Sequence, residues 1–215
     1  MNNSGSRLLI LESIKAALGE DRERMVEANL EISSFFRADP GSDIELFEKA
    51  FKDLQGNFLR CRDFDAVMDY IREFQPTLLR HRWSCTLPGF SPVVGDAGVS
   101  LADDVLSAEV AVTGCECLVA TTGSVVLSAA QPSGRALPVY VPVHIVIADK
   151  SQLLHDTGSA IAFLIGKYDG SLPSSLHFIA GPSRTGDIEK TLVTGIHGPK
   201  DVFVFVLEHS EPVAG

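Results

Sequence analysis

A chain of 215 residues in which 45% are hydrophobic can bury one substantial core, and it carries no low-complexity tract of the kind that stays disordered. Its formal net charge of −10 disfavours nonspecific attachment to nucleic acid or to an anionic membrane, although a single basic residue can still hold an anionic ligand. No apolar run approaches the roughly 18 residues of a spanning helix, and the first residues lack a basic-then-apolar leader pattern, so a cytoplasmic protein with no nucleic-acid or membrane partner is expected.

From the amino terminus, Leu8, Leu11, Ile14 and Leu18 recur at helical spacing before Gly19, and Met25, Ala28, Ile32 and Phe35 repeat the pattern before Pro40. Residues 1–41 therefore read as a helical segment that either leans on the rest of the chain or grips another copy; residues 42–215 read as an α/β domain. Ser42 and Glu45 have capping-box spacing and open a helix that carries Ile44, Phe47, Phe51 and Leu54 and ends near Gly56. A strand follows at Asn57–Cys61. Asp63 then caps a helix whose buried stripe is Phe64, Val67, Met68, Ile71 and Phe74. Pro76 stops it, Thr77–Arg82 reads as another strand, and Trp83 stands just beyond. Between Pro88 and Asp104 glycine, proline and aspartate point to an irregular connection with a short strand at Val93 and Val94.

Glu109–Thr113 and Cys117–Thr121 read as strands, or as a short helix and a strand around Gly114. Thr122, Gly123 and Ser124 then make a turn before a strand at Val125–Ser128. Hydroxyls around a glycine let backbone amides face an anion; a plain hairpin turn explains the same residues. Ala129–Pro138, with Gln131, Pro132, Ser133, Gly134 and Arg135, reads as a surface loop or a mobile cover over the site. Val141–Asp149 is nearly all apolar, as a strand buried on both faces would be, and His144 within it is either an acid–base group or a satisfied core residue. Gly158–Lys167 reads as a helix. The four cysteines, Cys61, Cys85, Cys115 and Cys117, lack zinc or cluster spacing and read as free thiols, so no metal or cofactor is expected to be held by this chain.

The most informative stretch is Leu176–Leu207. A short apolar run, a glycine-bounded turn from Gly181 to Gly186, a helical pattern over Asp187–Thr194 and a second apolar run at Val202–Leu207 read as a βαβ unit with parallel strands. In that arrangement Ser183, Arg184 and Thr185 put two hydroxyls and a planar cation beside open amides at a helix start, ahead of Asp187, which suits a carboxylate or phosphate. Helix capping by Ser183 or Thr185, with Arg184 paired to Asp187, accounts for the same residues. No GK[ST] follows the glycines, which excludes a P-loop, and GxGxxG is absent. His197 falls on the far side of this unit and reads as structural.

GPSRTGDIE (Gly181–Glu189) followed by TLVTGIHGP (Thr191–Pro199) closely resembles the carboxyl-terminal signature of the lactate utilization protein C family, also called the LUD domain. VTGCECLVATTGSVVL (Val112–Leu127) and PVHIVI (Pro142–Ile147) are similar to two further motifs of that family, in the same order. The resemblance implies an α/β fold with three layers, α/β/α, and a mostly parallel sheet, as in glucosamine-phosphate isomerases, ribose-phosphate isomerases and CoA transferases. It also implies a part in oxidising L-lactate to pyruvate beside iron–sulfur partner proteins. The chain departs from the family pattern at Thr121, where the family has glutamate, and at Glu116, where it has aspartate. Three functional readings stand. The first is a lactate-utilization subunit with a small anionic metabolite bound by Gly181, Ser183, Arg184, Thr185 and Asp187, together with Thr122, Gly123 and Ser124. The second is a stand-alone phosphosugar or CoA-ester enzyme using Glu116 or His144 as acid or base. The third is a non-catalytic scaffold.

Overall fold

The Ser42 hydroxyl accepts the Glu45 amide at 3.4 Å and so satisfies one of the donors that the start of helix α1 (Asp43–Asp53) leaves open. Ile44, Phe47 and Phe51 form the buried side of this helix, with the Phe47 and Phe51 rings stacked 5.5 Å apart. Strand β1 (Asn57–Cys61) follows, and the Asp63 carboxylate accepts the Ala66 amide at 2.9 Å to begin helix α2 (Phe64–Phe74). Val67, Met68 and Ile71 are its buried stripe; Phe64 is half-buried, and Phe74, expected in the same stripe, is 58% exposed at the end of the helix. The structure, a computed structural model, describes residues 12–13, 42–188, 191–194 and 198–208. The chain divides into two compact units, residues 1–37 and 38–215. Glu12 and Ser13 of the first unit are helical, and the other helical residues expected before residue 42 lie outside the described ones.

A parallel sheet of five strands runs in the order β1, β11 (Asp201–Leu207), β6 (Val143–Asp149), β3 (Val110–Thr113) and β2 (Trp83–Cys85). The apolar run around His144 is thus an inner strand, buried along Val143–Ala148. Alternation along β11 divides the core. Phe203, Phe205 and Leu207 meet α2 and the short helix α3 (Ser91–Asp96) on one face, while Val202, Val204 and Val206 meet α1 on the other. Beside α1 on that second face lies a smaller sheet, ordered β7 (Leu153–Leu154), β4 (Cys117–Val119), β5 (Ser124–Ser128) and β8 (Leu176–Ile179). Helix α5 (Thr157–Lys167) packs Ala160 and Leu164 on the outside of that sheet, and the short helix α4 (Leu137–Tyr140) packs Leu137 on Ala111 of β3. The expected α/β layering with a mostly parallel sheet is present, with a second sheet inserted beside one helical layer.

Three sequence expectations need correction. Leu78–Arg80 is a turn of 3-10 helix rather than strand, fixed by the Trp83 indole N–H, which donates to the Leu78 carbonyl at 2.8 Å; the strand begins only at Trp83. Val93 and Val94 lie in α3, where the proline in its first turn presets a helical φ. The Leu176–Leu207 unit is not βαβ. β8 pairs antiparallel with β5 in the small sheet, and in place of the expected helix β9 (Arg184–Ile188) pairs antiparallel with β10 (Thr191–Thr194). Thr185, Ile188, Thr191, Val193 and Thr194 are β-branched, which favours the extended chain over the helix that Asp187 and Glu189 suggest.

Candidate functional site

Two glycine turns rich in hydroxyls, some 60 residues apart in sequence, come to the same edge of the small sheet (about 60, read from Gly123 and Gly181). The register that sets Val125 opposite Ile179 carries the Thr122–Ser124 turn, between β4 and β5, next to the turn that follows β8. Both abut the end of α1. A Cβ on Gly123, whose φ is +59°, would come 2.6 Å from the Phe51 amide nitrogen, and one on Gly181, whose φ is +129°, would come 2.7 Å from the Leu54 carbonyl oxygen. At these two positions only glycine combines the backbone angle with the approach. Gly181 and Ser183 also line a groove of about 240 Å³ together with His177, Gly198 and Pro199, so the two halves of the GPSRT…HGP signature close on one another.

The polar groups of the two turns are partly committed. The Ser183 N–H donates to the Pro199 carbonyl at 2.8 Å, the Gly123 N–H to the Ala120 carbonyl at 3.3 Å, and the Thr122 hydroxyl to Ser124 Oγ at 2.9 Å. With a strand in place of a helix after Ser183, no helix start supplies open amides here. Ser183 lines the groove, whereas Arg184, the half-buried first residue of β9, is not among its lining residues. Thr185 and Asp187 follow in the same strand; their side chains, and His197, lie outside the described residues.

Glu116 and His144 are elsewhere and face inward. Burial tends to raise the Glu116 pKa, but Lys167, Ser128 and Tyr168 outweigh it and hold the carboxyl below its usual range. Its side chain is fully buried, and its oxygens accept from Ser128 Oγ, Tyr168 OH and Lys167 Nζ. His144 is buried in β6 with Nε2 2.9 Å from Thr113 Oγ1 and no partner at Nδ1, and burial pushes its pKa down to about 4. Its ordinary value is 6.5, so between these pH values the unfolded chain takes up a proton that the folded one refuses. Stability therefore falls as pH drops through that window, by on the order of 3 kcal/mol. His144→Gln is expected to flatten the loss of urea midpoint between about pH 7 and about pH 4.5; an unchanged slope would contradict this account.

A larger cleft, about 550 Å³, opens where the parallel strands end. Its walls are Thr86, Leu87 and Pro88 after β2, Gly114 and Cys115 after β3, and Ile147, Asp149, Ser151 and Gln152 at and after the end of β6. Gln131, Pro132 and Ser133 come over it from the loop that was expected at the surface. Of these, the sequence points only to the Gln131–Ser133 segment, as part of a loop that covers a site. For the others the sequence carries a local signal in the Thr86–Pro88 stretch after WSC and the KSQ stretch after VHIVIAD, whereas β8, which precedes the Ser183 turn, belongs to the other sheet.

Residues 88–207 match the family described as LUD domain. Among proteins similar to this chain, the lactate utilization protein C of Geobacillus kaustophilus is 31% identical over 137 residues, 61% of this chain and 56% of that protein. That of Bacillus licheniformis is 34% identical over 116 residues, 53% of this chain and 47% of that protein. The chain thus spans about half the length of the curated relatives it matches. A crystal structure of a DUF162 family protein from Deinococcus radiodurans has the same fold: the TM-score is 0.56 at 18% identity, over 79% of this chain and 100% of that one.

Proposed function

Since the chain belongs to the LUD domain family, we propose that it serves lactate utilization as a subunit that binds a small carboxylate, lactate or pyruvate, beside partner proteins that carry iron–sulfur clusters. The observation that carries the binding part of this reading is the meeting of the Thr122–Ser124 and Gly181–Arg184 turns at one edge of the small sheet. With the Ser183 amide already used, the carboxylate is held by the Ser183 hydroxyl and the Arg184 guanidinium, whose planar fork matches two carboxylate oxygens. The inward burial of Glu116 and His144 gives the stand-alone acid–base enzyme less support, since the Glu116 oxygens are taken up by Ser128, Tyr168 and Lys167 and neither residue lines the groove or the larger cleft. No helix among the described residues is long and apolar enough to cross a membrane.

The test is ligand-dependent melting. Lactate or pyruvate at about ten times Kd stabilises by about 1.4 kcal/mol, a rise of about 3–5 °C for a chain of this size. Arg184→Ala is expected to abolish that rise while leaving the melting temperature without ligand nearly unchanged. An equal rise in the variant removes the carboxylate from this turn.

A further inference from the structure

The cleft at the carboxyl ends of β2, β3 and β6 shares no described lining residue with the groove at the Ser183 turn, and the carboxylate reading does not use it. We propose that it binds an aromatic carbonyl compound, a flat apolar ring system whose carbonyl oxygen accepts a hydrogen bond from Ser133. Ile147 and Leu207, on neighbouring strands of the parallel sheet, belong to the core and give the cleft an apolar floor. Phe64, at the start of α2, adds a ring held 5.4 Å from that of the buried Phe90. Leu87, Pro88 and Pro132 extend the apolar lining. A phenyl and two pyrrolidine rings favour a planar ligand that can lie against them. The volume, about 550 Å³, falls within the range of small-molecule sites.

The carbonyl follows from the loop after β5. Ser133 lines the cleft and is only 7% exposed, and its hydroxyl has no hydrogen-bond partner among the described residues. A buried hydroxyl left unpaired is costly, so at the wall of a cleft it marks the place of a ligand atom. The loop holds it there. The Gly134 N–H donates to the Gln131 carbonyl at 2.8 Å, with Gly134 at φ +58°, and the Ser128 N–H donates to Gln131 Oε1 at 3.1 Å. Leu137, buried against β3, fixes the far end. A site held in shape this way gives up little entropy on binding. A serine hydroxyl can donate or accept, and Gln131 decides between the two. With Oε1 taken by the Ser128 amide, the Gln131 side chain has only its N–H groups left to offer, so an acceptor satisfies both polar residues that this loop brings to the cleft. A carbonyl oxygen, with its two lone pairs, is such an acceptor.

The experiment titrates the full chain with prodan, a naphthalene ketone whose emission moves to shorter wavelength when it leaves water. Acetylnaphthalene and ethylnaphthalene, the same ring with and without the carbonyl, then compete for the site. The ketone is expected to displace prodan at a concentration at least about 10-fold lower than the hydrocarbon. Ser133→Ala should narrow that ratio to less than about threefold, with ethylnaphthalene binding as before. The same substitution should leave the melting temperature without ligand unchanged or raised, because no bond within the protein is lost; a lower one would assign the hydroxyl to the fold and overturn the proposal. Pro132→Ser tests the apolar lining: both naphthalenes weaken by about threefold and their ratio persists. Arg184→Ala leaves prodan binding unchanged and lactate does not displace the probe, which keeps this cleft distinct from the carboxylate at the turn. Prodan emission that does not move, a ketone and a hydrocarbon that compete equally, or a ratio that Ser133→Ala leaves at its wild-type value would each overturn the assignment.

Discussion

Gly123→Ala is expected to destabilise the protein by about 2–5 kcal/mol and to lower its melting temperature by about 10 °C. Two costs add. An alanine at φ +59° occupies the left-handed region that L side chains avoid, at about 1–2 kcal/mol. The added methyl would also lie 2.6 Å from the Phe51 nitrogen and 2.8 Å from the Ala50 carbonyl carbon, and both are helix backbone that cannot rotate away. Relief requires α1 to lift from the β4–β5 turn, which disturbs the stacked and fully buried Phe47 and Phe51. Gly98 provides the control. It has φ +67° but nothing within 4 Å of a built Cβ, so Gly98→Ala should cost only the conformational part, about 1–2 kcal/mol. Equal melting temperatures for the two variants would mean that contact with α1 is not what requires glycine at 123. The same comparison bears on function, because a glycine needed for packing need not also be an anion-binding glycine.

What the sequence made legible was local. Ser42 and Asp63 were readable as caps because a side chain and an amide three residues on decide the matter, and the stripes Ile44–Phe47–Phe51 and Val67–Met68–Ile71 were readable from helical spacing. The inner strand Val143–Asp149 announced itself by an apolar run too long to have a wet face. Which sheet a strand joins was not local. Leu176–Ile179 and Asp201–Leu207 both look like buried strands, yet the first is an antiparallel edge strand with Phe178 40% exposed, and the second pairs on both sides in the parallel sheet. Taking β8 for a strand of the parallel sheet draws attention to the turn after it and away from the cleft at the ends of β2, β3 and β6. Glu116 stood out as a charge within an apolar segment, but its partners lie 12, 51 and 52 residues away, at distances no spacing argument reaches.

Those partners make Glu116→Ala the second large effect, about 2–3 kcal/mol of lost stability, with Glu116→Gln costing about half as much. The carboxylate accepts from Ser128 Oγ at 2.5 Å, Tyr168 OH at 2.7 Å and Lys167 Nζ at 2.7 Å, and so binds β5 to the end of α5 directly after Cys115, a wall of the Asp149 cleft. Alanine leaves those donors without an acceptor. Lys167 is 45% exposed and can turn to water, which keeps the cost below that of breaking a fully buried ion pair. Glutamine retains the shape and one acceptor oxygen but leaves the ammonium without its counter-charge. Because folding lowers the Glu116 pKa from 4.5, the carboxylate's contribution is fully present above the unfolded value and is lost as pH falls through the folded one. The difference between wild type and Glu116→Gln in urea should therefore be largest near neutral pH and shrink below about pH 4. A difference that is the same at both pH values would show that the ionised group contributes nothing beyond its shape. Glu116→Gln should also lower the melting temperature yet leave the lactate-induced rise at the Ser183 turn intact, because the bonds it loses belong to the other side of the small sheet.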